Sequence, residues 1–220
     1  IEAVARMILY AIPISTYSAK VRIALEAKGL EYSMEPPPGG YSTPEYMQIV
    51  PLGTIPALVD GEFCCSESDV LIEYLDETYP GVPLLIGTPG DKAHQRFLAR
   101  YHDLWLEPHL RRTFAHVDPA TRVEAELSDH VDKFQDRLDK LESLVEPAPY
   151  LCGASLTIAD CAFPATLILA ELLLPVFDRA PHFGPKISAW LENVVEHPAV
   201  NKVTSECKQA TIDWMSSGGG

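Results

Sequence analysis

The sequence predicts an α/β domain followed by an all-helical domain. Three observations support this prediction. Short apolar strands alternate with amphipathic helices over roughly the first third of the chain. A stretch rich in glycine and proline follows at residues 81–90. Beyond it, apolar residues recur every three or four positions. The predicted units are the α/β domain at 1–82, a linker at 83–90 and the helical domain at 91–217.

The first domain is predicted to contain four strands and three helices. The strands are expected at 7–12, 31–35, 57–60 and 62–65, and the helices at 17–28, from Pro44 onward and from Ser66 onward. Gly29 suits the left-handed residue that closes a helix, and Asp60-Gly61 suits a two-residue hairpin turn. The order is therefore βαβ, a connecting helix and ββα, which is the thioredoxin-like order.

The second domain is predicted to be helical throughout. We expect one helix at 91–112, a packing seam on the next, a buried apolar helix at 161–174 and another that ends before His197-Pro198. The seam residues are Leu127, Val131, Phe134, Leu138, Leu141 and Val145. Thr157 and Asp160 form a predicted capping box, which we interpret as structural and not catalytic.

Composition excludes several classes of protein. The net charge of -14 makes nucleic acid a poor partner, because phosphate binding needs clustered cations. No apolar run is expected to reach membrane-spanning length, and residues 1–7 are too short and acidic for a signal peptide. An odd count of five cysteines without metal-ligand spacing favours a reducing, cytoplasmic setting. Gly218 to Gly220 is interpreted as a frayed tail.

The most informative stretch lies between Val50 and Pro80. Ser66, Glu67 and Ser68 open an amphipathic helix directly after the predicted hairpin. A helix start presents free N–H groups and a positive dipole end, which suit a carboxylate. Just before the hairpin, a cis bond between Ile55 and Pro56 would turn the chain and leave backbone groups free. Together these features predict a site for a peptide-like anion.

Four motifs make the chain resemble the cytosolic glutathione transferases. They are the loop from Pro51 to Pro56, the Asp60-Gly61 turn, the pair Glu67-Ser68 and the helix end from Tyr74 to Pro80. The resemblance extends over nearly the whole chain. It implies glutathione as co-substrate, a small hydrophobic electrophile as second substrate, a homodimer and no metal. The class within the family, whether theta-, delta-, zeta- or tau-like, stays open.

Ser15 is the predicted catalytic residue. The segment STYSAKV, which begins at Ser15, matches a pattern of the serine classes, in which the hydroxyl donates to the glutathione thiolate. The alternative is that Ser15 only caps the helix that follows. Tyr10 lies one residue out of the register of the tyrosine classes and should point away from the site. Because no cysteine lies between Pro13 and Lys20, thiol-reductase classes are disfavoured.

The resemblance also implies the residues that bind glutathione. Glu67 and Ser68 would hold the γ-glutamyl end, and Thr54, Ile55 and Pro56 would lie beside the rest of the tripeptide. Relatives often place a His, Lys or Gln in this loop to reach the glycine carboxylate, and this chain has none there. Tyr41 is the proposed substitute. The full predicted set is Ser15, Tyr41, Thr54, Ile55, Pro56, Glu67 and Ser68.

The second-substrate pocket is predicted from aromatic residues. Its predicted members are Tyr17, Tyr101, Trp105 and Phe114, although an aromatic stripe at helical spacing also fits a core. Four histidines, His94, His102, His109 and His116, are interpreted as a solvated face and not as a metal site.

The predicted function is glutathione transfer to a hydrophobic electrophile. One alternative is a glutathione-dependent isomerase or reductive dehalogenase, which would use the same thiolate. The zeta-class isomerases carry a substrate-holding arginine that would fall near Glu171 here, which disfavours a dicarboxylate isomerase. The other alternative is a non-catalytic binding or scaffold protein of the same fold.

Overall fold

A computed structural model describes residues 7–217 of the 220-residue chain. Residues 1–6 and 218–220 lie outside the described part. The expectation that residues 1–7 are not a signal peptide therefore concerns residues outside it, apart from Met7, and the expected frayed tail at Gly218 to Gly220 lies wholly outside it.

A four-stranded mixed sheet forms the centre of the first domain. Its strands are β1 (Ile8–Tyr10), β2 (Ser33–Glu35), β3 (Ala57–Asp60) and β4 (Phe63–Ser66). The spatial order is β2-β1-β3-β4, with β1 parallel to β2 and antiparallel to β3. The predicted thioredoxin-like order of strands is confirmed. The predicted hairpin is also present, with β3 and β4 antiparallel around Gly61.

The helices of this domain have the expected capping residues. They are α1 (Thr16–Lys28), α2 (Pro44–Met47) and α3 (Ser68–Thr78). Gly29 closes α1 with φ of 66°, a left-handed conformation that favours glycine. Helices α1 and α3 pack together, and the buried side chains Ile23, Leu25 and Leu71 belong to the main core.

The predicted helix at 91–112 is wrong as a single element. The chain forms α4 (Pro89–Tyr101), a π-helical turn (His102–Leu106) and α5 (Glu107–Thr113). Proline at position 108 explains the interruption, because its nitrogen cannot donate to the preceding turn. The extra residue of the π turn re-aims the side chains of Asp103 and Glu107, both of which reach the site described below.

The middle of the helical domain contains α6 (Glu124–Leu144), α7 (Ile158–Ala162) and α8 (Pro164–Leu173). The seam on α6 is buried as predicted. The predicted helix at 161–174 is buried, but Pro164 starts a new helix. By length and hydropathy the stretch Ile158–Phe177 could cross a membrane, which corrects the expectation that no run was long enough. Its apolar window is 72% buried inside the protein, as in a core helix.

Two further helices complete the fold, α9 (Pro185–Val194) and α10 (Pro198–Ser216). Helix α10 packs against α1 and α8 and so joins the two domains, although its sequence was not assigned to an element. The Thr157–Asp160 capping box is confirmed. Asp160 also accepts hydrogen bonds from the Leu151 N–H at 2.8 Å and the Trp190 indole at 2.9 Å, which supports a structural role.

Candidate active site

Two adjoining cavities lie where the sheet domain meets α4 and α5. The helix-start cavity, about 320 Å³, lies at the beginning of α3, and the Ser15 cavity, about 380 Å³, lies at the beginning of α1. They share Tyr17, Thr54 and Ile55 as a common wall. A larger ligand could therefore occupy both.

The helix-start cavity has the chemistry of an anion site. It is lined by Tyr17, Thr54, Ile55, Pro56, Glu67, Ser68, Arg100, Asp103 and Leu104. Glu67 precedes α3 with φ of 76° and makes no side-chain capping bond, so the first N–H groups of α3 stay available to a ligand. Ser68 is 5% exposed. The predicted cis bond between Ile55 and Pro56 is present.

Ser15 lies in the wall of the second cavity and also caps α1. Its Oγ accepts a hydrogen bond from the Ser18 N–H at 3.2 Å, and the residue is 7% exposed. A hydroxyl has one hydrogen and two lone pairs, so accepting this bond leaves the hydrogen able to donate. Capping and thiolate donation are therefore compatible in this geometry.

Next to Ser15, a buried polar cluster joins α1 to α5. Thr16 donates to Glu107 Oε1 at 2.8 Å and accepts from Arg111 Nη2 at 2.9 Å. Arg111 Nη2 also donates to Glu107 Oε1 at 2.7 Å. Glu107 is 1% exposed and Arg111 is 40% exposed, so the carboxylate of this ion pair is buried and the guanidinium reaches the surface. The i,i+4 spacing of Glu107 and Arg111 is a local signal for their ion pair. Nothing local places Thr16 beside it, because Thr16 lies 91 residues before Glu107.

Tyr17 and Tyr41 line the Ser15 cavity with Ile12, Ile14, Ser42, Gly53 and Arg111. Burial of the hydroxyl is the main cause that raises the pKa of Tyr17, and the charge of Glu107 is the second. The Tyr17 hydroxyl therefore stays neutral and can donate or accept a hydrogen bond, but it does not act as a phenolate. Tyr41 is 51% exposed. Burial of its hydroxyl raises the Tyr41 pKa, and the positive charge of Arg111 opposes that shift.

A buried charge network lies behind the helix-start cavity and was missed from sequence. The fully buried Lys20 donates to Asp69 at 2.5 Å and to Asp103 at 2.7 Å. His102 Nδ1 lies 2.7 Å from Asp103, and its Nε2 lies 2.7 Å from Thr166. Burial opposes ionisation of Asp103, but its bond to His102 and the charges of His102 and Lys20 lower its pKa to about 2. Asp103 is therefore ionised at the wall of the cavity, with Lys20 as its counter-ion.

Three of the four aromatic residues predicted for the pocket lie elsewhere. Tyr101 is 6% exposed and donates to the Arg137 carbonyl, so it belongs to the core. Trp105 is half-exposed beneath Arg137 and lines neither cavity, because the π turn rotates it away. Phe114 lines neither cavity, but its ring lies 5.1 Å from the Arg111 guanidinium.

The predicted solvated face of histidines is wrong for two of its members. His102 is fully buried in the charge network, and His116 is 5% exposed. Tyr10 packs edge-on against Tyr46 and lines neither cavity, as its strand register predicted. Glu171 lies at a third cavity, of about 390 Å³, between α8, α9 and α10, away from Ser15.

Comparisons with known proteins agree with this geometry. Residues 9–83 match the family model described as "Glutathione S-transferase, N-terminal domain", and residues 121–193 match "Glutathione S-transferase, C-terminal domain". Glutathione S-transferase Z2 of Arabidopsis thaliana is 28% identical over 210 residues, which cover 92% of each chain.

Two solved structures have the same fold. The glutathione transferase URE2P6 of Phanerochaete chrysosporium, in complex with oxidized glutathione, is 26% identical with a TM-score of 0.78, over 93% of this chain and 97% of that one. The maleylacetoacetate isomerase of Methylobacterium extorquens AM1, with bound malonate and glutathione, is 26% identical with a TM-score of 0.76, over 91% and 97%.

Proposed function

We propose, since this chain belongs to the glutathione S-transferase family, that it transfers glutathione to a small electrophile with Ser15 as the activating residue. The observation that supports this proposal most directly is the pair of adjoining cavities. One begins at an uncapped helix start suited to an anion, and the other contains the hydroxyl of Ser15.

Glutathione would lie across both cavities. Its γ-glutamyl carboxylate would accept hydrogen bonds at Ser68 and the start of α3, while Glu67 and the ionised Asp103 would face its ammonium group. The Ile55 backbone would pair with the cysteinyl unit, beside Thr54 and Pro56, and Tyr41 would reach the glycine end.

The thiol would then lie at Ser15, where the positive end of the α1 dipole also favours a thiolate. Donation from the Ser15 hydroxyl would lower the thiol pKa from its free value of about 8.5. The thiolate attacks the electrophile held beside Tyr17, so proximity and thiol ionisation supply the acceleration.

The test is retention on immobilised glutathione together with turnover of 1-chloro-2,4-dinitrobenzene. A transferase binds the matrix and forms the thioether above the uncatalysed rate. Binding without turnover would favour the scaffold alternative. Absence of both would contradict the proposal.

A glutathione-dependent isomerase is the second candidate, supported by the similarity to the maleylacetoacetate isomerase. That class carries a substrate-holding arginine at a position that falls near Glu171 in this chain. Glu171 is acidic and lines a different cavity from Ser15, which counts against a dicarboxylate substrate. An isomerase returns glutathione unchanged, so product analysis separates the two activities.

We propose a homodimer in the cytoplasm, with detoxification as its role. Large apolar side chains on α3 and α4, among them Val70 at 49% and Phe97 at 46% exposure, support a dimer interface there. The described cysteines are all free thiols, which supports the cytoplasmic setting. Sedimentation equilibrium tests the dimer. A monomer at micromolar concentration would contradict it.

A further inference from the structure

The guanidinium of Arg111 is rigidly held at the edge of the Ser15 cavity. Its Nε donates to Glu107 Oε1 at 2.9 Å, and its Nη2 donates to both Glu107 and Thr16. The ring of Phe114 packs against the guanidinium carbon at 5.1 Å. Because these contacts fix the side chain on three sides, little conformational entropy remains to be lost when a ligand binds to it.

One nitrogen of this group is left for a ligand. Arg111 Nη1 makes no hydrogen bond within residues 7–217, and the side chain is 40% exposed. Arg111 is also the one charged residue among those that line the Ser15 cavity in the described part of the chain. A cation in a wall whose other residues are uncharged favours a ligand that carries a negative group.

We propose that Arg111 binds a carboxylate on the second substrate, so that the preferred substrates are electrophiles carrying one carboxylate. This inference rests on the proposed transferase activity. Arg111 contacts Thr16, the residue after Ser15, at 2.9 Å, and Arg111 and Ser15 line the same cavity. The net charge of -14 repels anions in general, and Glu107 already pairs with the Nε and Nη2 side of the guanidinium, so the carboxylate is held by a local hydrogen bond to Nη1.

The glycine carboxylate of glutathione is the competing source of the same chemistry. Tyr41, which is near enough for Arg111 to act on its pKa, lies with Ser42, Gly53 and Thr54 on the loop wall of the cavity. Arg111 instead reaches the cavity from α5, beside the start of α1. Its origin on a helix of the second domain favours the second substrate over the glycine end.

The test compares 4-chloro-3-nitrobenzoate with its methyl ester. In both, the thiolate forms a C–S bond to the ring carbon, and chloride leaves with the electron pair of the C–Cl bond. Each kcat/KM is divided by the uncatalysed rate constant with glutathione, which removes the difference in intrinsic reactivity. We expect the normalised value for the carboxylate to exceed that of the ester by about tenfold or more.

Variants identify the group responsible. Arg111→Gln should lower the ratio of the carboxylate value to the ester value by about 10- to 100-fold, while Arg111→Lys should give an intermediate loss. The ratio is the readout because losing the partner of Glu107 affects both substrates alike. Arg112→Gln is the matched control, because Arg112 is exposed on the same helix and lines neither cavity. It should change neither value.

Each other outcome overturns the inference in a distinct way. Equal losses for both substrates, or equal normalised values in the wild type, would show that Arg111 does not read the substrate carboxylate. A raised KM for glutathione with both substrates would assign Arg111 to the glycine carboxylate. Turnover of neither substrate by the wild type, together with no turnover of 1-chloro-2,4-dinitrobenzene, would refute the transferase proposal itself.

Discussion

Replacing Ser15 by alanine and by glycine separates its role as a helix cap from its role in activating the thiol. Glycine is a better helix cap than alanine, but both lack the hydroxyl. Loss of the 3.2 Å bond to the Ser18 N–H should cost about 1 kcal/mol in Ser15→Ala and only a few tenths in Ser15→Gly. For a chain of 220 residues, about 1 kcal/mol lowers Tm by roughly 2 to 4 °C. Both variants should lose one hydrogen bond to a charged thiolate, worth about 1.5 to 3 kcal/mol, or roughly 10- to 150-fold in rate.

The assay is the thiolate absorbance of bound glutathione against pH, measured with kcat/KM and Tm. We expect both variants to raise the thiol pKa equally while their Tm values differ, and Ser15→Thr to restore the titration. Ser18→Ala is the control, because its buried Oγ makes no hydrogen bond within residues 7–217. An unmoved titration in both variants, with a lower Tm in Ser15→Ala alone, would leave Ser15 as a cap only. A shift in Tyr17→Phe alone would assign activation to Tyr17.

Three further predictions concern binding and stability. Ser68→Ala should weaken glutathione by about 1 to 3 kcal/mol in calorimetry, because Ser68 is buried at the start of α3, and an unchanged Kd would contradict the assignment. Asp103 has a pKa near 2, below its unfolded value of 3.8, so its stabilisation is present above pH 4 and is lost as pH falls toward 2. The gap in urea unfolding free energy between wild type and Asp103→Asn should therefore shrink by roughly 1 to 2 kcal/mol from pH 5 to pH 2.5, and a constant gap would refute the reasoning. Asp160→Ala should cost at least about 3 kcal/mol in unfolding free energy, since the Leu151, Thr157 and Trp190 donors lose their buried acceptor, and a loss below about 1 kcal/mol would contradict this.

Local sequence signals predicted the parts of the fold that depend on neighbouring residues. The hairpin at Gly61, the helix start at Ser68, the left-handed Gly29 and the cis bond at Pro56 all follow from residues within one turn of each other. The boundaries were less accurate where proline acts inside an apolar run. Pro164 divides a helix that hydrophobicity alone would continue.

The candidate site was predictable only on its sheet-domain side. Ser15, Thr54 and Ile55 line the cavities because they lie in loops next to motifs that can be recognised. The three aromatic residues predicted on the helical side, Tyr101, Trp105 and Phe114, line neither cavity. Tyr101 precedes the π turn and is buried in the core. The directions of Trp105 and Phe114 depend on that turn, because a shift of one residue rotates the side chains after it.

The sequence by itself determined the order of elements, the family resemblance and the two helix starts that face the cavities, because these depend on local conformation and spacing. Only the tertiary structure decided which charges meet. Lys20 reaches Asp69 and Asp103 across 49 and 83 residues, and Thr16 meets Arg111 across 95. Buried charged residues need partners. The packing of α1 against α3 places Asp69 beside Lys20, and long side chains bridge α1 to the π turn and α5. No local pattern records these pairings.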